Sequence, residues 1–510
     1  MKASSAAVSN VLLRIFAVIF TAMFFWGLTL AVVQSAQNDY YLPLALAPVL
    51  TIVILLLWQK GRDLYHRIPD RILTIVFASC SAAAFFGMLY FSYRMRLRFG
   101  VDTWDFTRIQ IDAAETALGE GGILLPYYAK YKNNQLLLLI LTLLFKIVVW
   151  IRPEVAPETL HQWAMALNCT SIMTTTVLSF VTVKRQHNTH FAFLAGLFLL
   201  LYTPLWLYSP IYYTDTMGLP LIVLPVFLYT FVKEGKTARN IVLYCFMGVI
   251  AAIGMKMKAS NVFVYIAIAI MTLLTRPARV RRAIILTGAA ALVLVAFVLQ
   301  LGMNRVLQIT PEIYDRYQFP YSHWVMMSLS KNGGYDAQFV KYTASFETMD
   351  ERKEGVAQKT EELLSERGLA GNIKHVFVTK MIHTWGNGSL SGTYYLSREP
   401  AENGVFQRYL TQKGDRFRIS YTIIQTFHLM LLFGVALSGV NLYRRPRGGA
   451  ITVMQVSIFG LLLFLLVWEC NARYLVHIAP FLVISAADGF ASFGGSMSLQ
   501  KTSKKSEKIS

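Results

Sequence analysis

Two aspartates, Asp102 and Asp105, stand three residues apart in the stretch RFGVDTWDFTRIQ, directly after one long apolar run and shortly before another. Carboxylates at the lip of a membrane are either solvated loop groups or groups held there for chemistry. Partial desolvation at such a place raises a carboxyl pKa toward the range a general base needs. Asp215, in YSPIYYTDTMGLPLIV, is a third carboxylate at the start of an apolar run. There it can also serve as an N-cap, since aspartate suits the positive end of a helix. Lys256 and Lys258 in GMKMKASN, and Arg473 with Tyr474 in VWECNARYLVHIAPF, place cations between apolar runs. Such cations either bind an anionic headgroup, a phosphate above all, or snorkel to lipid phosphates. Arg473 has a further option, a pair with Glu469 four residues earlier on a helix.

The elements that must position these residues are membrane helices. Of the 510 residues, 55% are hydrophobic, mean hydropathy is +0.47, and apolar runs of about 20 residues, enough to cross a bilayer, recur along the chain. The spacing predicts spans over 11–33, 42–59, 72–93, 162–183, 191–209, 217–233, 240–256, 260–275, 283–304, 420–441, 450–468 and 474–492. The first run is too long for a signal-peptide core and reads as a retained span. Net charge is +20. The excess sits in short loops around Arg67, Arg71, Lys184, Arg185, Lys233, Lys236, Arg276, Arg281, Arg282, Arg444 and Arg445. With both termini inside, all of these fall on the cytoplasmic face, which explains the charge without nucleic acid. Counting 133–150 as a crossing would reverse every later loop, so it reads as a juxtamembrane or re-entrant helix. The four cysteines lie in or beside apolar runs with no disulfide or metal spacing.

The fold class expected is an all-α polytopic membrane protein of about 12 transmembrane helices, with an external juxtamembrane helix region and a mixed, α-rich external domain. Residues 1–304 form the transmembrane domain with an external catalytic loop, 94–161. Residues 305–419 form an external soluble domain, 420–492 a C-terminal hairpin plus last span, and 493–510 a basic cytoplasmic tail. In the first external segment, RIQIDAAETALGEGG reads as a short amphipathic helix closed by glycines, with Asp105, Arg108, Asp112 and Glu115 on neighbouring faces. In 305–419, His323, Trp324 and Trp385 sit in aromatic-rich stretches that suit sugar rings or an isoprenoid tail, or simply a core. With Arg108 they are the acceptor- or sugar-binding candidates. DERKEGVAQKTEELLSERG reads as a solvated amphipathic helix.

At these residues the sequence resembles the GT-C class of membrane glycosyltransferases, especially bacterial relatives of protein O-mannosyltransferases and aminoarabinose transferases. The resemblance rests on TWDFTRIQIDAAE, YYAKYKNNQLLLLILTLLFK, YTDTMGLPLIV, MKMKAS and NARYLVHIAPFL, in that order along the chain. It implies a polyprenyl-phosphate sugar as donor, with transfer on the non-cytoplasmic side of a bacterial plasma membrane. Asp105 matches the family's catalytic aspartate, Asp215 its second acidic position, and Lys258 with Arg473–Tyr474 its donor-phosphate contacts. An extra hairpin, 11–59, precedes the family's usual first span. Phe106 follows Asp105, where better-known relatives have a second acidic residue; Asp102 is the candidate to fill that place, so the base is either Asp105 or Asp102.

The reaction expected is inverting transfer of a mannose-like hexose to an acceptor hydroxyl. Asp105 takes the proton, Lys256, Lys258 and Arg473 stabilise the departing phosphate, and Asp215 orients the acceptor or supports the developing oxocarbenium. The acceptor is an envelope glycan, a wall polymer or a protein. Neither cofactor nor metal is expected, and membrane lipid is the other partner. The rival reading, a transporter or flippase of lipid-linked saccharides, predicts charges near mid-membrane in an inverted repeat. The charges here cluster at one face.

Overall fold

The computed structural model describes residues 2–101, 104–276 and 278–493, so Asp102 and the basic tail 494–510 lie outside the described residues. Among the described residues the secondary structure is helical apart from one isolated bridge, Leu97 to Pro400. An apolar surround gives backbone N–H and C=O groups no water, and helices satisfy them internally. Among the described residues, ten helices are long and apolar enough to cross a membrane: Ala7–Gln37, Tyr41–Tyr65, Asp70–Arg94, Lys132–Ile151, Pro157–Gln186, Thr237–Met257, Val280–Leu307, Phe417–Arg444, Ala450–Val467 and Ala472–Ala491. Three of the twelve expected spans appear as shorter apolar helices, Thr189–Leu201, Thr214–Tyr229 and Ala259–Thr275. Each has a local cause. Tyr202 is extended before Pro204 and ends the first. The second is assembled from two helical pieces with Pro225 inside. Lys258 adopts an extended conformation, and a 3-10 turn starts the third.

Side-chain contacts sort the helix ends into two groups. At one end, Ser9 meets the last turn of the Ala259–Thr275 helix and Lys184 donates to Thr74. At the same end Arg185 and Arg276 bond to Thr230 and the Val232 carbonyl, and Arg447 pairs with buried Asp488. The basic loops picked out by charge are therefore neighbours. At the other end lie Arg94, Asp105, Asp215, Lys258, Trp468 and Arg473. Two pairs of helices close on small residues: Gly248 sits against the Gly288 carbonyl and Gly489 against that of Gly434, with no room for a Cβ in either place.

Lys132–Ile151 has the length of a crossing but particular neighbours. Asn134 bonds to Tyr127 and Tyr213 at its start. The helix after it, Pro157–Gln186, begins with His161 beside Gln110 and Tyr212. The chain on either side of this helix is thus held at the same end of the bundle.

The sequence groups 305–419 as one external unit, and the structure divides it. Met349–Lys374 is the expected exposed helix, started by a Thr348–Glu351 capping box and kinked at Gly368, φ 65°. Residues 375–396 instead pack among the membrane helices. Trp26 donates to the Phe377 carbonyl, Trp385 packs edge-on against Phe24, and Gln425 bonds to Gly386 and Gly388. Tyr208 donates to the Leu390 carbonyl. A stretch rich in Gly, Ser and Thr looks like a loop in sequence, and here its backbone is satisfied by bundle side chains.

Candidate active site

Asp105 is the first residue of the Asp105–Leu118 helix. Thr107 Oγ1 accepts from the Trp104 amide at 3.1 Å, and Gly119 closes the other end in the left-handed region at φ 75°. A carboxylate in the first turn faces the partial positive charge of the unpaired amides. Asp105 Oδ1 accepts from Tyr127 Oη at 2.9 Å. Tyr127 Oη in turn accepts from Asn134 Nδ2 at 2.6 Å, and Asn134 Oδ1 accepts from Tyr213 Oη at 2.9 Å. Burial pushes the Asp105 carboxyl above its ordinary range, opposed by the Arg473 guanidinium and by the Tyr127 and Tyr213 hydroxyls. A carboxylate so placed is a stronger proton acceptor than a solvated one.

Beside it lies a cluster of three charges. Lys258 Nζ contacts Asp215 Oδ1, and Arg473 Nε lies 3.5 Å from Asp215 Oδ2. Asp215 is buried in the short Thr214–Met217 helix, and Arg473 is buried in a 3-10 segment, Ala472–Ile478. The guanidinium carbon is 5.2 Å from the Trp104 ring centre, 5.1 Å from Tyr213, 5.0 Å from Tyr395 and 5.6 Å from Tyr474. An arginine inside an aromatic box is held by its flat faces while its edge stays available for anions. Lys258 Nζ is 4.7 Å from the Tyr474 ring. Burial lowers the Lys258 pKa, and Asp215 works against that shift. Two cations sharing one carboxylate leave one net positive charge, the complement of one phosphodiester.

Tyr213 and Trp104 join the two halves, since both touch the Arg473 box and flank Asp105. Glu469 completes the wall. Its Oε1 accepts from Tyr474 Oη at 2.8 Å, and its amide donates to the Trp324 carbonyl at 3.1 Å. Burial pushes this carboxyl up to about 7, with Tyr474 and Arg473 pulling the other way. The i,i+4 pair between Glu469 and Arg473 does not form, because the chain is extended at Asn471 and the helix starts only after it. Arg473 is turned to Asp215 instead.

Other candidates lie elsewhere. Lys256 donates to Gln300 at 2.8 Å, within a network of Gln135, Asn304 and Tyr314, so it does not share the Asp215 cluster with Lys258. Arg108 pairs with fully buried Asp112 one turn on. His323 is buried against Thr343 and Phe319, and Trp385 is a core residue. Trp324 is half-buried and stacks with Trp468. Asp102 lies outside the described residues. Among the described residues no group of three His, Cys, Asp or Glu side chains could hold a metal ion. Residues that sequence reasoning missed are Trp104, Tyr127, Asn134, Tyr213 and Tyr395. Tyr127 and Asn134 sit inside YYAKYKNNQ, whose clustered tyrosines and amides so close to a membrane helix were the available signal.

The fold and this site define an all-helical, polytopic integral membrane protein with a charged, aromatic-walled centre at one end of its bundle. The family model for a conserved hypothetical integral membrane protein matches residues 5–491, and the chain belongs to that family. Among solved structures, the chain is similar to ArnT from Cupriavidus metallidurans bound to undecaprenyl phosphate. That match has 11% identity and TM-score 0.34, covering 82% of this chain and 77% of that one. It is also similar to the archaeal oligosaccharyltransferase AglB from Archaeoglobus fulgidus in complex with an inhibitory peptide and a dolichol-phosphate. There identity is 10% and TM-score 0.40, over 80% of this chain and 50% of that one. No curated protein matches the chain.

Proposed function

We propose that the chain is a GT-C-type membrane glycosyltransferase that moves a sugar from a polyprenyl-phosphate donor to an acceptor hydroxyl. The observation that carries this reading is the meeting of a carboxylate made basic by burial, Asp105, with a net-positive Lys258–Asp215–Arg473 cluster across one shared tyrosine wall. A proton acceptor beside an anion site is what single displacement at an anomeric carbon requires.

In this mechanism the acceptor oxygen attacks the anomeric carbon and gives its proton to Asp105. The bond from that carbon to the phosphate oxygen breaks, and the electron pair leaves with the lipid phosphate. Lys258 and Arg473 offset the developing charge there, and Asp215 keeps both cations aimed. Displacement from the opposite side inverts the anomeric centre. The donor sugar is a mannose-like hexose, and the acceptor is an envelope glycan, a wall polymer or a protein. The site end of the bundle faces outward from a bacterial plasma membrane, with the basic loops and both termini on the cytoplasmic side. Residues 305–374 cover the site as the external part of the chain, and Lys132–Ile151 lies against the membrane surface.

The experiment is transfer by purified protein from a panel of radiolabelled polyprenyl-phosphate sugars to a crude envelope fraction. Label moving from one donor class supports the reading and identifies the sugar. Tight lipid-phosphate binding with no transfer from any donor turns the site into that of a lipid-linked saccharide transporter.

A further inference from the structure

Lys132 and Lys256 carry positive charge that the Asp215 cluster does not use. Lys256 is in the last turn of the Thr237–Met257 helix, and Lys132 opens the 3-10 turn that leads into the Lys132–Ile151 helix. Lys256 Nζ donates to Gln300 Oε1 at 2.8 Å, and Lys132 Nζ lies 3.9 Å from the centre of the Tyr314 ring. Gln300 and Tyr314 join the two, since Gln300 Nε2 donates to Tyr314 Oη at 3.2 Å. The two ammonium groups are close enough for their charges to act on each other.

The network around them is neutral, and its acceptors are taken. Gln300 Nε2 also donates to Gln135 Oε1 at 2.9 Å and to Asn304 Oδ1 at 2.8 Å. Tyr314 Oη donates to Asn304 Oδ1 at 2.7 Å and accepts from Gln135 Nε2 at 3.0 Å. An ammonium group has three N–H donors. Among the described residues Lys256 has one acceptor, Gln300, and Lys132 has only a ring face. Glu312 and Asp315, on the same short helix as Tyr314, are exposed and pair with neither lysine. Lys258, two residues on from Lys256, has its carboxylate in Asp215. Two half-buried cations with no counter-charge are costly, and a phosphate supplies both the charge and the missing acceptors.

The surroundings set the depth of this pair. Phe297, Val298 and Leu301, in the turns around Gln300, are exposed on the bundle's flank. The chain beyond Leu307 turns polar, with Glu312, Asp315 and Arg316 exposed. The lysines therefore stand where an apolar flank gives way to polar surface, which is the level of lipid headgroups. We infer that Lys132 and Lys256, bridged by Tyr314 and Gln300, form a second anion site that takes the phosphate headgroup of a bilayer lipid, separate from the Lys258–Asp215–Arg473 centre. The two sites lie back to back on one turn: Asn134 points into the hydrogen-bonded chain that ends at Asp105, and Gln135 into the lysine network. The second site stands whether or not the chain transfers sugar.

The test is direct binding to the full-length protein in neutral detergent, with four probes: phosphatidylglycerol, diacylglycerol with the same acyl chains, inorganic phosphate and undecaprenyl phosphate. Wild type is expected to bind phosphatidylglycerol at least about tenfold more tightly than diacylglycerol or inorganic phosphate. Lys132→Gln and Lys256→Gln are each expected to lose about fivefold for phosphatidylglycerol and to hold undecaprenyl phosphate within about twofold. Lys256→Arg keeps the phosphatidylglycerol affinity, and Lys258→Ala loses undecaprenyl phosphate alone. Lys132→Gln leaves every hydrogen bond of the amide network in place, so it reports on charge even where Lys256→Gln disturbs folding. Unchanged phosphatidylglycerol affinity in Lys132→Gln overturns the site, as does equal binding of diacylglycerol. Inorganic phosphate bound as tightly as the lipid, with the same lysine dependence, overturns the assignment to a lipid. A loss of phosphatidylglycerol in Lys258→Ala equal to that in the glutamine variants merges the two sites and overturns their separation. Failure of wild type to bind undecaprenyl phosphate, with lysine-dependent phosphatidylglycerol binding intact, strikes the functional reading and leaves the second site standing.

Discussion

Asp215 is the residue whose removal separates structural from catalytic charge most cleanly. Its carboxylate faces both Lys258 and Arg473, with the Arg473 contact at 3.5 Å. At an effective dielectric of ~20, one such contact is worth about 5 kcal/mol of attraction before desolvation is subtracted. Asn at 215 keeps the shape and removes the charge, leaving two buried cations facing each other. Breaking a buried pair in this way typically costs ~3–5 kcal/mol. The cluster moves from one net positive charge to two, so an added anion gains more in the variant than in wild type. The assay is thermal unfolding of purified protein in detergent, with and without a polyprenyl phosphate. Asp215→Asn should melt well below wild type when empty, and the lipid phosphate should raise its midpoint by more than it raises that of wild type. A variant as stable as wild type, or one that responds less to the phosphate, would refute the claim that Asp215 balances the two cations.

Further expectations concern the neighbouring groups. Glu469 titrates near pH 7 in the folded protein, and its ionisation puts a negative charge beside Lys258 and Arg473. Lipid-phosphate affinity should therefore fall as pH rises from 6 to 8 in wild type and stay level in Glu469→Gln, as titration calorimetry at several pH values can show. Lys256→Ala removes a bond to Gln300 and not a cation of the Asp215 cluster, so donor affinity should stay within about twofold, and a loss like that of Lys258→Ala would return Lys256 to the phosphate site. Trp385→Ala empties a fully enclosed position against Phe24 and should cost ~3–5 kcal/mol in an unfolding titration, with donor affinity of the surviving folded protein unchanged.

The membrane class and most of the helices were legible because an apolar run near 20 residues has few alternatives to a helix. The charge pattern also gave the grouping of ends: the helix ends carrying Lys184, Arg276 and Arg447 are neighbours, as the basic loops required. Asp105, Asp215, Lys258 and Arg473 stood out because a charged side chain beside an apolar run is costly and has to be accounted for. What sequence could not supply was partnership. Lys256 and Lys258 look equivalent two residues apart, yet the helix ends between them, so one turns to Gln300 and the other to Asp215. Glu469 and Arg473 have helical spacing but no helix between them. Tyr127, Asn134 and Tyr213 are neutral residues of common type, and only the packing of three separate segments makes them a hydrogen-bonded chain. The inserted 375–396 segment was hidden for a related reason, since its backbone partners lie on other helices.

The account turns on Asp105 as the group that takes the acceptor's proton. The most direct measurement is the rate of sugar transfer at saturating polyprenyl-phosphate donor for wild type and Asp105→Asn, with donor affinity measured on the same samples. The account predicts a rate lower by about 10²-fold or more in the variant, with donor affinity and thermal stability retained. A variant that transfers at the wild-type rate would contradict it and move the base to another carboxylate, with Asp102 the next to replace.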